Sequence, residues 1–174
     1  MSELALARLG LHAVWWLVTP GNPLKDHRAL RPLSERLALC ERMTPHPRIR
    51  VTAFEATIAT RYTADTLREV VRRRPGVRFV WIMGADNLAT FHRWQRWREI
   101  ARTVPIAVVD RPGSTLATAQ SPAAVVLGRW RVDETDAPLL AGMPPPAWCF
   151  IHGPRSALSS TAIRAREEAR RSSV

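Results

Sequence analysis

Short apolar runs alternate with segments of helical periodicity along this chain. Apolar or alternating runs predict five strands, at residues 13–18, 49–54, 77–83, 105–109 and 147–151. Apolar positions three and four apart predict helices at residues 2–9, 33–43, 63–74 and 159–171, and a tryptophan-rich helical stretch ends at Thr103. Residues 114–147 give no clear pattern.

This alternation predicts the fold class. Strands that alternate with helices and are apolar on both faces are typical of a parallel α/β sheet. We predict one α/β domain over residues 1–174, a Rossmann-like, doubly wound parallel sheet. In such sheets the ligand lies beyond the carboxyl ends of the strands. The loops after Val18, Met83 and Val109 and the entry to the last helix should therefore converge on one site.

The opening of the chain departs from this fold. A doubly wound domain normally begins with a strand whose following loop and helix hold phosphate. Here a helix leads directly into the strand at residues 13–18, and neither GxGxxG nor GxxxxGK[ST] occurs. We therefore expect the first central strand to be missing, with a gap or an improvised pairing beside the strand at residues 13–18.

Composition narrows the class of protein. Hydrophobic residues make up 46% of the 174 positions and charged residues 24%, which is typical of a folded domain. The apolar runs are too short to cross a bilayer, and the first residues lack the features of a signal peptide, so a cytoplasmic protein is expected. Cys40 and Cys149 have no neighbouring ligands, which indicates two reduced thiols rather than a zinc site.

The net charge of +11 first suggests nucleic-acid binding. However, Lys25 is the only lysine, and the arginines are scattered along the chain rather than clustered. No ladder of aromatic residues accompanies them, which argues against an RNA-binding module. A basic pocket for small molecules that carry phosphate fits the charge equally well.

Two segments combine a strand or helix end with polar groups. The loop at residues 19–27 is either an ordinary turn or a ligand loop that presents Lys25. In the segment at residues 61–67, Thr63 could cap the following helix. The N–H groups of such a helix terminus could equally hold a carboxylate or phosphate.

The block at residues 82–97 is the most distinctive. Gly84, at a strand end, would let a ligand approach the backbone, and Asp86 could accept hydrogen bonds from ribose hydroxyls. Trp94 offers a flat face to an aromatic ring, although a tryptophan here could also be a packing residue. His92 is a candidate acid or base, or simply a surface histidine.

The last helix opens with hydroxyl groups. Ser159, Ser160 and Thr161 precede Arg164 by about one turn, an arrangement that would hold phosphate oxygens. An ordinary serine N-cap is the alternative.

Taken in order, these blocks resemble the bacterial nicotinate-mononucleotide adenylyltransferase family. Its YTxxTL, GxDxL…F…W, RPG and SSTxIR segments match residues 62–67, 84–94, 111–113 and 159–164. The resemblance covers nearly the whole chain, least well at residues 114–148. It implies adenylyl transfer from ATP to nicotinate mononucleotide, giving deamido-NAD and pyrophosphate, with Mg²⁺ arriving on ATP.

The resemblance also implies roles for individual residues. Thr63 and Trp94 would hold the nicotinate ring and its carboxylate, and Asp86 would bind ribose hydroxyls. Lys25 and Arg111 would contact phosphate or nucleotide. The ATP phosphates would lie against the residues that open the last helix: Ser159, Ser160, Thr161 and Arg164.

One part of the family pattern has no counterpart. The family opens with a strand and a GGSFNPxHxGH-type loop whose two histidines engage the ATP phosphates, and neither His12 nor His27 can replace them. No catalytic residue is therefore identified, and the expectation is either an upstream start or a decayed relative. A non-catalytic nucleotide-binding remnant and a sister transferase making coenzyme A or CDP-linked products are the alternatives.

Overall fold

The computed structural model of the chain describes residues 1–21, 31–110 and 120–153. Its strands are β1 (Val14–Leu17), β2 (Ile49–Thr52), β3 (Trp81–Gly84), β4 (Ile106–Val109), β5 (Arg131–Val132) and β6 (Trp148–Ile151). Its α-helices are α1 (Ser2–Arg8), α2 (Leu33–Met43), α3 (Phe54–Thr57), α4 (Thr63–Arg73), α5 (Ala85–Thr90), α6 (Trp97–Thr103) and α7 (Pro122–Leu127). Turns of 3₁₀ helix cover Phe91–Arg93, Gly128–Trp130 and Glu134–Gly142.

Every strand pair in the described ranges is parallel. Four strands form one sheet in the order β3-β4-β6-β5, and β1 pairs with β2 in a second sheet. Helices connect the strands, so the predicted parallel α/β architecture is confirmed.

The four-stranded sheet is covered on both faces. Ile106 and Val108 of β4 face a core built with α4, α5, α6 and α7. Ala107 and Val109, which alternate with them, face a second core built with α1 and the Glu134–Gly142 turns. Because successive strand residues point to opposite faces, a strand buried on both sides reads as a continuous apolar run.

The sheet is divided between β1 and β3. These two strands do not pair, and a cleft of about 1540 Å³ lies between them, lined by residues of both. The rings of Trp15 and Phe79 meet across it, with centroids 6.1 Å apart. Ile82 of β3 also packs against a small cluster that contains Val14 and Ile49. The gap predicted beside residues 13–18 is confirmed, and no strand of the described ranges pairs with β1 on that side.

The end of α1 directs the chain into β1. The N–H of Leu11 donates to the carbonyl of Leu6, and that of Gly10 donates to Ala7, while Gly10 has a φ of +61°. This is a Schellman motif, in which the left-handed position favours glycine. Leu6 and Leu11 pack in the same small cluster, an apolar contact that often accompanies this motif.

Two predicted strands were too long. The strand predicted at residues 49–54 ends at Thr52, and Phe54 instead begins α3. The strand predicted at residues 77–83 begins only at Trp81, and Val77 is 50% exposed. Trp81 and Ile82 are only half-buried, because they line the open cleft.

Two stretches consist of short elements that the sequence pattern did not resolve: the tryptophan-rich stretch and the stretch at residues 114–147. The former is divided into α5, a 3₁₀ turn and α6. Within the latter, α7, β5 and the Glu134–Gly142 turns were not predicted. The strand β5 has only two residues, and Pro138 lies inside the turns, so neither has a usable period.

None of the helices in the described ranges is both long enough and apolar enough to span a membrane.

Candidate active site

The end of β3 presents the first candidate residues. Gly84 is buried, has extended backbone (φ −76°, ψ 157°) and immediately precedes α5. Asp86 lies in the first turn of that helix and is exposed. A carboxylate near the positive end of a helix is favourably placed. The structure therefore puts Asp86 at the carboxyl edge of the sheet, where the sequence predicted a ligand.

Trp94 follows the 3₁₀ turn after α5, and its ring packs against the core while part of it stays accessible. Its ring meets that of Phe91 edge to face at 5.5 Å and that of Trp81 at 6.5 Å. The side chain is only half-buried, so part of the ring remains accessible. Trp94 is thus partly a packing residue, as the alternative interpretation held, and it still offers surface to a ligand.

Thr63 begins α4, which runs down the sheet toward the start of β3, so its first turn lies at the carboxyl edge. The prediction that Thr63 caps this helix was wrong, because Tyr62 is the N-cap residue and no side chain caps the helix. The carbonyl of Tyr62 accepts from the N–H groups of Asp65 and Thr66. Thr63 is half-buried, and its hydroxyl is not used as a cap.

A buried hydrogen bond between Thr66 and Glu55 fixes the start of α4. The Thr66 hydroxyl is fully buried and donates to Glu55 Oε1 at 3.0 Å, and Glu55 is 5% exposed. The other carboxylate oxygen, Oε2, is buried and has no hydrogen-bond partner among the described residues. The pair ties α3 to the first turn of α4, a contact that no sequence pattern pointed to.

Arg36 of α2 fixes the exit from β1. Its Nη1 donates to the carbonyl of Thr19 at 2.7 Å, and its Nη2 donates to that of Pro20 at 3.4 Å. Lys25, which the same loop would present, lies outside the described residues. Arg36 was missed by sequence reasoning because its partners are backbone carbonyls, which leave no residue signature.

The ends of β4 and β6 lie side by side. The N–H of Asp110 donates to the carbonyl of Ile151 at 2.9 Å. His152 follows β6, and its Nδ1 lies 2.6 Å from Glu134 Oε2. The chain therefore enters residues 111–119 and 154–174 from the same edge of the sheet. The candidate residues of those segments lie outside the described ranges: Arg111, Ser159, Ser160, Thr161 and Arg164.

Four charged side chains join α4 to the segment after Trp94. Asp65 Oδ1 accepts a short hydrogen bond from Arg96 and lies 3.5 Å from Arg68 Nη1. Arg68 Nη2 donates to Glu99 Oε1 at 2.7 Å, and Arg96 Nε lies 3.8 Å from Glu99 Oε2. The hydrogen bond from Arg68 holds the pKa of Glu99 below its usual range. Sequence reasoning gave these residues no role, because the partners across the network are 31 positions apart.

The structure also shows the surroundings of His92 and of the two cysteines. His92 is half-buried, and its buried Nδ1 finds no hydrogen-bond partner in the described ranges. Burial raises the pKa of the Cys149 thiol to about 11, so it is protonated at neutral pH. Both Cys40 and Cys149 are free thiols, as predicted. The described part of the chain contains no cluster of three or more His, Cys, Asp or Glu side chains that could hold a metal ion.

Solved structures resemble this fold. The Plasmodium falciparum nicotinic acid mononucleotide adenylyltransferase complexed with APC superposes with a TM-score of 0.60 over 94% of this chain and 74% of that one. The same enzyme complexed with NaAD gives a TM-score of 0.61 over 89% and 69% of the two chains. Sequence identity is 13% in both cases, so these matches support the fold alone.

Sequence comparisons are more specific. A family model described as cytidylyltransferase-like matches residues 1–166. A probable nicotinate-nucleotide adenylyltransferase of Mesorhizobium japonicum is 63% identical over 94% of this chain and 84% of its own length. Its counterpart in Brucella abortus is 61% identical over the same shares. The one in Methylorubrum extorquens is 60% identical over 95% of this chain and 90% of its own length. The chain belongs to the nicotinate-nucleotide adenylyltransferase family, within the cytidylyltransferase-like proteins.

Proposed function

We propose that this protein transfers the adenylyl group of ATP to nicotinate mononucleotide, giving deamido-NAD and pyrophosphate. Relatives about 60% identical over most of the chain are named probable nicotinate-nucleotide adenylyltransferases. The observation that supports it most directly is the pairing of Asp65 with Arg96. It brings the helix start that bears Thr63 next to the segment that bears Trp94, and these two residues are the ones proposed for the nicotinate group.

The reaction needs no covalent enzyme intermediate. An oxygen of the 5′-phosphate of nicotinate mononucleotide forms a bond to the α-phosphorus of ATP. The bond from that phosphorus to the oxygen bridging to the β-phosphate breaks, and pyrophosphate leaves with Mg²⁺. Catalysis then consists of aligning the two substrates and neutralising the charge on the phosphates.

The nicotinate side of the site is assigned to three described residues. Trp94 would stack its accessible face on the pyridine ring. Thr63, at the N-terminus of α4, would bind the carboxylate, since a helix N-terminus favours an anion. Asp86 would accept hydrogen bonds from ribose hydroxyls.

The ATP side is assigned to residues outside the described ranges. Ser159, Ser160, Thr161 and Arg164 would bind the phosphates, with Lys25 and Arg111 as further cationic contacts. The chain reaches the segments that contain Arg111 and the four terminal residues from the same sheet edge that bears Asp86, which supports the assignment. Mg²⁺ would enter as the ATP complex.

The cleft between β1 and β3 is where we place the strand that carries the family's histidine loop. Neighbouring strands of a sheet lie about 4.8 Å apart, and a parallel strand that paired with both β1 and β3 would make the two sheets continuous. We propose that the family's opening strand belongs in this cleft, since its loop would carry the two phosphate-binding histidines to the carboxyl edge. The proposed transfer of the adenylyl group would then depend on that strand and on the loop that follows it.

The decisive experiment measures pyrophosphate release with ATP, Mg²⁺ and nicotinate mononucleotide. The 174-residue chain is compared with the same chain preceded by the family's opening strand and histidine loop. We expect little release from the former and turnover from the latter. An extended chain in which both histidines are alanine is the matched control, because it restores the strand but not the chemistry. Full activity in the 174-residue chain would contradict the assigned role of the histidine loop.

A further inference from the structure

The two strained backbone positions in the described ranges lie beside the nicotinate half of the site. Ala59 has a φ of +52° and Arg96 a φ of +55°, and no other non-glycine residue described has a positive φ. This left-handed conformation is unfavourable for residues with a Cβ, and it persists only where surrounding contacts impose it. Ala59 lies four residues before Thr63, and Arg96 lies two residues after Trp94.

The backbone at Arg96 turns the chain sharply after Trp94. The N–H of Trp97 donates to the carbonyl of Trp94 at 3.2 Å, which closes a four-residue turn with Arg96 at its third position. Arg96 is also the N-cap residue of α6, and its carbonyl accepts hydrogen bonds from the N–H groups of Glu99 and Ile100. Glycine or asparagine is usual in such a left-handed position. An arginine in this position therefore carries a backbone cost that a glycine would not.

The Arg96 side chain contacts Asp65. The Asp65 carboxylate accepts from Arg96 through Oδ1 and from the Thr60 hydroxyl through Oδ2 at 3.4 Å. The Thr60 hydroxyl oxygen in turn accepts from the N–H of Tyr62 at 3.2 Å, directly before Thr63. A single carboxylate thus fixes the loop that enters α4 and the turn that leaves Trp94. Two positive and two negative side chains make up the whole network, so it carries no net charge.

We propose that Asp65 and Arg96 are positioning residues that fix the separation of Thr63 and Trp94, so that the nicotinate-binding half of the site is formed before the ligand arrives. The inference rests on the proposed function, because it assigns the ligand of that half. Preorganisation of this kind improves affinity since the ligand does not have to order the two segments.

A second ion-pair group on the same helix provides a matched comparison. Glu69 accepts from Arg72 Nη2 at 2.7 Å and from Arg73 Nε at 2.6 Å. Hydrogen bonds from Arg72 and Arg73 lower the pKa of Glu69 to about 2. This group lies near the opposite end of α4 and connects no site segment. It should stabilise the helix without affecting the ligand.

The test is a double-mutant cycle on ligand affinity. Calorimetry measures the Kd of nicotinate mononucleotide for the 174-residue chain and for Asp65→Asn, Arg96→Gln and the double variant. The thermal unfolding midpoint is recorded for each variant. We expect each single change to raise Kd about three- to tenfold. The double change should raise it no further, because each single change already removes the contact that Asp65 and Arg96 share. Arg72→Gln should leave Kd unchanged.

A glycine variant separates the side chain from the backbone. Arg96→Gly removes the guanidinium but relieves the left-handed strain, so it should fold and still bind the ligand about three- to tenfold more weakly. Wild-type affinity in Arg96→Gly would overturn the inference. So would additive losses in the double variant, or equal losses in Arg72→Gln. If the wild-type chain itself does not bind nicotinate mononucleotide, both the proposed function and this inference fail. If it binds but the variants give one of these contrary results, only this inference fails.

Discussion

Trp15 and Phe79 meet edge to face across the divided sheet, with their ring planes inclined at 65°. They belong to segments that no backbone hydrogen bond joins, so this contact is one of the few links between β1 and the chain leading to β3. Aromatic pairs in this geometry are worth about 0.5–1.5 kcal/mol beyond the area that they bury.

We therefore predict that Trp15→Ala and Phe79→Ala are coupled. The double variant should lose about 0.5–1.5 kcal/mol less free energy of unfolding than the sum of the two single losses. Chemical denaturation of the four proteins measures this. Combining Trp15→Ala with Val125→Ala, at an exposed position of α7, should be additive. Additivity in the aromatic pair would mean that the rings do not bridge the cleft in solution.

Gly10 gives a second prediction, on stability. An alanine there would have to keep a φ near +61°, which costs about 1 kcal/mol relative to glycine. Gly128→Ala is the matched control, since Gly128 has a helical φ of −52° and nothing within 4 Å of an added Cβ. That change should raise the free energy of unfolding by about 0.4–1 kcal/mol. Similar effects at both positions would contradict the Schellman motif.

For Trp94 the expected effect is on the ligand. Trp94→Ala should raise the Kd of nicotinate mononucleotide about tenfold or more, because stacking on an aromatic face is worth roughly 1–3 kcal/mol by analogy with base stacking. Trp94→Phe should retain part of the affinity. Trp130, another half-buried tryptophan of the same core, is the control. A loss of stability in Trp94→Ala without a change in Kd would mark the residue as a packing residue only.

The two thiols should differ in reactivity. Cys149 is buried and its pKa is raised to about 11, so almost none of it is thiolate at pH 8. Cys40 is half-buried and lines the cleft. A disulfide reagent at pH 8 should label Cys40 first and Cys149 only after denaturant is added. Rapid labelling of the folded Cys40→Ser variant would show that the core around Cys149 opens readily.

The parts of the fold that could be predicted are those with a strong period. The strand β4 is buried along its whole length and was predicted to within one residue, and α2 was predicted with its observed bounds. The strand β3 was predicted too long, because the apolar residues that precede it, among them Val77, Phe79 and Val80, line the cleft without joining the strand. An apolar run gives no sign of what covers it.

The site was predictable to the extent that single residues mark it. Asp86 lies at the carboxyl edge of the sheet as predicted, and Trp94 follows on the same segment. The roles of Thr63, Asp86 and Trp94 stay predictions until ligand binding is measured. Arg36, Glu55 and the Asp65–Arg96 pair were not foreseen, because each acts through a backbone carbonyl or a partner distant in sequence.

The division of the sheet also determines how the molecule should come apart. The β1–β2 pair can separate from the rest without breaking a single strand pairing of the four-stranded sheet, because the two sheets share no ladder hydrogen bonds. Among the described residues, that opening is opposed by side-chain contacts, including the hydrogen bond from Trp16 Nε1 of β1 to the Ser2 hydroxyl of α1 at 2.8 Å. It therefore requires less free energy than global unfolding. Amide hydrogens of Val14–Leu17 and Ile49–Thr52 should then exchange with solvent through partial unfolding, while those of Ile106–Val109 exchange only when the whole domain unfolds.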